Sequence, residues 1–286
     1  MALDAALDRD EVLRIIRAAL DEDLRYGPDV TTTATVPADA VIKASVVSRE
    51  PGTIAGIDAG LLVLDEVIGA SDYEITDRVA DGTRVAPGQS VLTLIAPTRG
   101  LLTAERTMLN LVCHLSGIAT ATAAWVDAAA GTHCRIRDSR KTLPGLRALQ
   151  KYAVRVGGGV NHRMGLGDAA LIKDNHVVAA GSVVEALRAV RAAAPDIACE
   201  VEVDSLEQLD AVLAENVELV LLDNFPLWQT QAAVQRRNAA SPQTKLESSG
   251  GLSLDVAADY ARTGVDYLAV GALTHSVRVL DLGLDM

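Results

Sequence analysis

Residues 198–224 read ACEVEVDSLEQLDAVLAENVELVLLDN. Two short apolar runs, Ala198–Val203 and Glu218–Leu222, bracket a segment at 205–214 whose apolar residues recur with helical period. The same rhythm extends in both directions. Further strands are expected at Cys134–Asp138, Ala169–Lys173, Thr244–Ser248 and Tyr267–Val270, and further helices near 143–155, 181–194, 227–240 and 253–263. Apolar strands alternating with helices imply parallel strands with helices over their faces. About six strands are too few for a complete (β/α)8 barrel. An open, incomplete α/β barrel is therefore the first reading and a doubly wound sheet the second.

The polar residues then fall in one place. Asp138, Arg140, Lys141, Lys173, Asp174, Glu202, Asp204, Asp223, Asn224, Ser248, Ser249 and Gly271 stand at or just past the C-terminal ends of expected strands. That edge carries the site in parallel α/β folds. No single one is diagnostic; the shared position is the signal.

The 286-residue chain is acidic, with a formal net charge of −12 and a pI near 4.8. Yet residues 138–176 gather Arg140, Lys141, Arg147, Lys151, Arg155, His162, Arg163, Lys173 and His176 among glycines. Two like charges about 4 Å apart at an effective dielectric near 20 repel by ~4 kcal/mol. Such a cluster needs anions, from the protein or from a ligand. Any one lysine reads as a solvated loop cation. As a group following strand ends and glycine-rich turns, Arg140, Lys141, Arg163 and Lys173 suit capture of carboxylates or phosphates.

The first hundred residues follow a different plan. Residues 9–22 form an amphipathic helix with Val12, Leu13, Ile16, Ala19 and Leu20 near one face. Residues 41–48 alternate as a strand, 58–69 read as a short helix, and 78–96 as short strands joined by turns at Asp81-Gly82 and Pro87-Gly88. This is an α+β module with an antiparallel sheet. Thr103–Ala130 reads as helix, with Thr103 as N-cap, Arg106 in the first turn and a soft spot at Ser116-Gly117.

Composition narrows the function. Aromatics are only 3%, so the core is built from Ala, Val, Leu and Ile. The acidic balance, without a basic tail, argues against nucleic acid. No apolar run of membrane-spanning length and no signal peptide are read in the chain. Cys113, Cys134 and Cys199 are widely spaced and read as small buried hydrophobes in a reducing, cytoplasmic compartment.

The remaining motifs leave alternatives open. His162, between Asn161 and Arg163, suits a structural hydrogen bond as well as a ligand contact; His176 and His275 read as structural. Glu202 and Asp223 suit ion pairing with nearby lysines, or hydroxyl binding with a role around Mg2+. Ser248-Ser249-Gly250-Gly251 and Gly271-Ala272 could offer backbone N–H groups to a phosphate, while Gly157–Gly159 reads as plain loop flexibility.

At these residues the chain resembles the quinolinate phosphoribosyltransferases. The likeness runs through ERTMLNLVCHLSGIAT, DSRKTLPGLR, GGGVNHRMGLGD, LIKDNH, EVEV, LLDN, ESSGG and VGALTHS, from about Glu105 to Ser276, with DVTT near 29–32 also similar. Ser139 stands where the family pattern has Thr. The resemblance implies an N-terminal α/β sandwich (1–115, with the tail 276–286 packing back on it) and an open-faced α/β barrel (116–275). It implies transfer of phosphoribose from phosphoribosyl pyrophosphate (PRPP) to quinolinate with loss of CO2, on the route to NAD. It also implies a homodimer, or a higher oligomer built from it, in which Arg106 crosses into the neighbouring subunit's site. By resemblance, Arg106, Arg140, His162, Arg163 and Lys173 surround the quinolinate, Lys141 and Lys173 meet the pyrophosphate, and Ser139 and Val270 also belong to the substrate-binding set. Glu202 and Asp223 hold the ribose hydroxyls and Mg2+. Ser249, Gly250, Gly251, Gly271 and Ala272 take the 5-phosphate. Lys141, Lys173, Glu202 and Asp223 are the expected catalytic set. The competing readings are a lyase with Lys173 as Schiff-base amine, a non-catalytic sensor of anionic metabolites, and a relative acting on another pyridine or pyrimidine acid.

Overall fold

In the computed structural model, which describes residues 7–286, helix α1 (Arg9–Leu24) starts at Asp8, whose carboxylate accepts the Asp10 N–H. Its buried residues include Val12, Leu13 and Ile16, the apolar face read from spacing. Helix α2 (Val30–Thr35) was not legible, because four threonines and a valine disfavour helix locally. Capping supplies what propensity lacks. Asp29 accepts the Thr32 N–H at its start, and Arg99 donates to the Thr33 and Val36 carbonyls at its end.

Strands β1 (Val41–Ser48) and β2 (Gly52–Thr53), helix α3 (Ile57–Val67), and strands β3 (Glu74–Arg78), β4 (Arg84–Val85) and β5 (Ser90–Pro97) follow. β1 buries Ala44, Val46 and Ser48 at period two. β5 pairs antiparallel with both β1 and β3, and β2 pairs with β4. The Asp81-Gly82 turn does more than reverse the chain: Asp81 accepts the Gly56 and Ile57 N–H groups at the start of α3.

Helix α4 (Thr98–Ala128) begins five residues before the expected cap. Thr103 therefore lies within the helix and donates back to the Arg99 carbonyl at 3.0 Å, and Arg106 is beyond the first turn, clear of the N-terminal dipole. The helix runs unbroken through Ser116-Gly117. Ser116 exchanges hydrogen bonds with the Ala55 backbone, and a Cβ on Gly117 would stand 2.9 Å from Val279 Cα. Both are sites of close backbone approach. Contrary to the sequence reading, α4 is long and apolar enough by length and composition to cross a membrane, but 61% of its most apolar window is buried in the protein.

The chain continues with β6 (Arg135–Arg137), α5 (Arg147–Val156), β7 (Ala170–Ile172), α6 (Asp174–Ala180), α7 (Val183–Ala193) and β8 (Cys199–Val203). Then come α8 (Leu206–Ala214), β9 (Leu219–Asp223), α9 (Leu227–Ala240), β10 (Lys245–Ser249), α10 (Ala257–Arg262), β11 (Tyr267–Ala269), α11 (Ala272–His275) and β12 (Leu282–Asp285). The single helix expected over 181–194 is two. Gly181, at φ 98, stops α6, and Ser182 caps α7 by accepting the Glu185 N–H. The last expected helix, 253–263, divides into a 3-10 turn at Leu254–Val256 and α10.

Two units result. One runs through Ala123 and takes in Thr142–Gly158, which holds α5, and Leu273–Met286. Its main sheet has the order β12-β1-β5-β3, because the C-terminal strand pairs antiparallel with β1. The other unit, Ala124–Lys141 with Gly159–Ala272, holds the six-stranded parallel sheet β6-β11-β10-β9-β8-β7. Strands β7 to β11 are neighbours in chain order with no reversal, which removes the doubly wound alternative. β6 pairs with β11 and carries a single further bridge, Arg137 to Val160, and among the described residues no pairing joins it to β7. The barrel is left open there.

Candidate active site

The strands of the second unit end together, and the cavity at their C-terminal ends has a volume of about 690 Å3. Ser139, Arg140, Lys141, His162, Arg163, Lys173, Glu202, Asp223, Ser249, Gly250, Gly251 and Gly271 all line it. Three expected residues do not. Val270 is buried beneath, its N–H donated to the Arg137 carbonyl; Ala272 begins α11; Arg106 is exposed on α4 in the other unit.

The floor is a buried polar network. Asp138, fully buried at the end of β6, accepts the His162 N–H at 2.7 Å and the Asn161 side-chain amide at 2.5 Å. These bonds pin the N-H-R turn against the strand tip. His162 Nδ1 accepts the Arg163 N–H, which assigns the ring proton to Nε2 and makes that nitrogen the donor to Glu200, 2.6 Å away. Glu247 lies next to this pair and accepts from Arg137 at 2.7 Å, while the Arg137 guanidinium stacks over Tyr267, 4.7 Å from its centroid.

Burial pushes the carboxyls of both Glu200 and Glu247 up to about 7, partly countered by attraction to Arg137. Arg137 itself is raised: burial opposes its charge, but attraction to Glu247 outweighs that. His162, Glu200 and Glu247 could in principle hold a cation. The Nε2 proton and the Arg137 charge make them a hydrogen-bonded cluster instead.

The walls are cationic. Arg163 donates to the Ala169 carbonyl, and its buried Nε has no hydrogen-bond partner among the described residues. Burial, then repulsion from Arg140, holds its pKa below the usual guanidinium value. Lys173 donates to Glu202 at 2.6 Å, realising the ion pair that the sequence allowed for that glutamate. Asp223 accepts from the Asn224 side chain at 2.8 Å. His176 is structural, its Nδ1 accepting the Lys173 N–H at the start of α6, and His275 bonds to the neighbouring Ser276 hydroxyl. Gly250 (φ 90) and Gly251 (φ 61) give the loop after β10 a left-handed path that glycine takes without strain.

Sequence reading missed Arg137 and Glu247. The signal available was a charged residue within a segment read as a strand, in RIRD and KLESS.

Comparison with known proteins gives this geometry its family. Residues 29–116 match the model of the quinolinate phosphoribosyl transferase N-terminal domain, and residues 118–285 that of the C-terminal domain. The chain belongs to the quinolinate phosphoribosyltransferase family. It is 73% identical over 271 residues, 95% of each chain, to the carboxylating nicotinate-nucleotide pyrophosphorylase of Mycobacterium leprae. It is 38% identical over 270 residues to the probable enzyme of that name from Bacillus subtilis, covering 93% of this chain and 90% of the relative. The NadC crystal structure from Streptococcus pyogenes superposes with a TM-score of 0.92 at 36% identity, covering 100% of this chain and 98% of that one. The nicotinate-nucleotide pyrophosphorylase structure from Francisella tularensis gives 0.91 at 35% identity, with 99% of each chain covered. Membership of the quinolinate phosphoribosyltransferase family thus extends over both units, beyond the motifs around the cavity.

Proposed function

We infer that this chain transfers the phosphoribosyl group of PRPP to the ring nitrogen of quinolinate. The products are nicotinate mononucleotide, pyrophosphate and CO2. The observation that carries the reading is one cavity holding a cationic wall with an unpartnered buried guanidinium N–H, two carboxylates at adjacent strand tips, and a left-handed glycine loop. A dicarboxylate ring, ribose hydroxyls and a phosphate are the chemical complements of those three parts.

The chemistry needs orientation and charge stabilisation more than proton transfer. The pyridine nitrogen is already a nucleophile. Arg140 and Arg163 hold the substrate carboxylates, while Lys141 and Lys173 face the pyrophosphate that leaves. Glu202 and Asp223 meet the ribose as its reacting carbon becomes cation-like. Carboxylates at neighbouring strand tips also suit Mg2+, which combines few carboxylates with substrate phosphates; they are the residues that would hold it, and the ion would neutralise pyrophosphate charge. The Lys173 ammonium is engaged by Glu202 rather than standing alone in an apolar pocket, which disfavours the Schiff-base reading.

The same reading makes the enzyme a cytoplasmic homodimer in which Arg106 completes the neighbouring subunit's site. Its free cysteines, two of them buried, suit a reducing compartment. The test is an assay of purified protein with quinolinate, PRPP and Mg2+. Nicotinate mononucleotide and pyrophosphate should form in equal amounts. Turnover of nicotinate but not of quinolinate would overturn the substrate assignment.

A further inference from the structure

Two non-glycine residues among those described have positive φ, Asn216 and Asn224. Asn216 follows the end of α8, where a left-handed residue is an ordinary stop. Asn224 (φ 55) is different: it sits at the tip of β9, immediately after Asp223, and lines the cavity. A left-handed conformation in a residue with a side chain costs energy and persists where its surroundings impose it.

Its contacts say what imposes it. The Asn224 N–H donates to the Ser249 carbonyl at 2.9 Å, tying the tip of β9 to the tip of β10, where Asp223 and Ser249 are register partners. Its Nδ2 donates to Asp223 Oδ2 at 2.8 Å. Its Oδ1 occupies the space over Gly250: a Cβ there would collide with Oδ1 and stand 2.7 Å from Asn224 Cγ and 3.0 Å from its backbone nitrogen. Gly250 is therefore a glycine twice over, for its φ of 90 and for the side chain lying against it. One exposed residue so touches the carboxylate of one strand tip and the glycine loop of the next.

We propose that Asn224 is a positioning residue that interlocks the Asp223 carboxylate with the Ser249–Gly251 loop, so that the ribose and the phosphate of one phosphoribosyl donor meet groups set in a single arrangement. This rests on the reading of Asp223 and that loop given above. An amide is required. Its N–H end holds the carboxylate and its oxygen fills the gap over Gly250, whereas an aspartate would set like charge against Asp223.

Asn224→Gly tests it, because glycine takes the left-handed path without strain and keeps the N–H to Ser249, removing the side chain alone. PRPP affinity is read by calorimetry with Mg2+, and both Michaelis constants by steady-state kinetics. Asn224→Gly should weaken PRPP by at least ~10-fold, the scale of a lost hydrogen bond to a charged group, and move the quinolinate KM by less than about 2-fold. Asn224→Asp should be worse. Gly250→Ala should impair PRPP binding in the parent and less so in the Asn224→Gly background, where the clash with the side chain is gone while the strain of the positive φ remains. Unchanged thermal unfolding shows that the variants fold. Wild-type PRPP affinity in Asn224→Gly, or simple additivity of the two changes, overturns the interlock. Asp223→Ala separates the layers. If it destroys PRPP binding while Asn224→Gly does not, the interlock alone fails; if it leaves PRPP binding intact, the reading of Asp223 fails and the interlock falls with it.

Discussion

Glu200 and Glu247 stand on strands separated by β9, yet each puts a carboxylate oxygen within 4.0 Å of the same nitrogen, His162 Nε2. Each also has a buried oxygen, Oε1, without a hydrogen-bond partner among the described residues. Two acids under a cationic cavity offset part of its charge. They also leave a pH signature.

Both folded-state pKa values are raised, from 4.5 to about 7, so the folded protein keeps protons that the unfolded chain has lost. That contribution is complete below about 4.5 and is lost as pH rises through about 7. Stability should decline between pH 5 and pH 8, by up to ~1.4 kcal/mol per pH unit for each proton retained. Glu247→Gln, which cannot ionise, should flatten that slope even if the loss of its ion pair with Arg137 lowers Tm overall. Parallel Tm-versus-pH curves for parent and variant would refute the assignment.

Arg140→Ala and Arg163→Ala should each lower kcat/KM for quinolinate by at least ~100-fold, the ~3 kcal/mol of a lost charge-assisted contact. Arg163→Lys should recover little, because an ammonium cannot reproduce the planar fork. Near-wild-type kinetics in either alanine variant removes that arginine from the site.

If Arg106 serves the neighbouring subunit, Arg106→Ala and Lys173→Ala are each inactive, but their mixture is not. Random exchange makes about half the dimers mixed, each with one intact site, so about a quarter of parent activity should return. A mixture as inactive as its parts shows that Arg106 and Lys173 act in the same chain.

Gly117→Ala places a methyl group 2.9 Å from Val279 Cα and 3.1 Å from the Arg278 carbonyl carbon, both backbone. Overpacking of this kind costs ~1–3 kcal/mol and should lower Tm by several degrees, read by calorimetry. An unchanged Tm would mean that the 278–279 segment yields freely.

Chelating divalent cations should abolish turnover, and Mg2+ should restore it without other additions. Full activity in excess EDTA would remove the metal role assigned to Glu202 and Asp223.

Local patterning settled much of this protein. The strand–helix alternation from Cys134 to Val270 and the clustering of polar residues past strand ends are properties of neighbouring residues, so the open barrel and most of its cavity lining were legible. Elements held by distant partners were not. α2 depends on Arg99, and β12 exists because it pairs with β1. The same holds within the site. Arg137 and Glu247 meet only when β6 is carried round to lie beside β11, and Asn224 reaches Gly250 only because β9 and β10 end in register. A sequence states which residues follow one another along the chain. Which buried charges share a floor is decided by strand order and register, and these form only when the whole sheet packs.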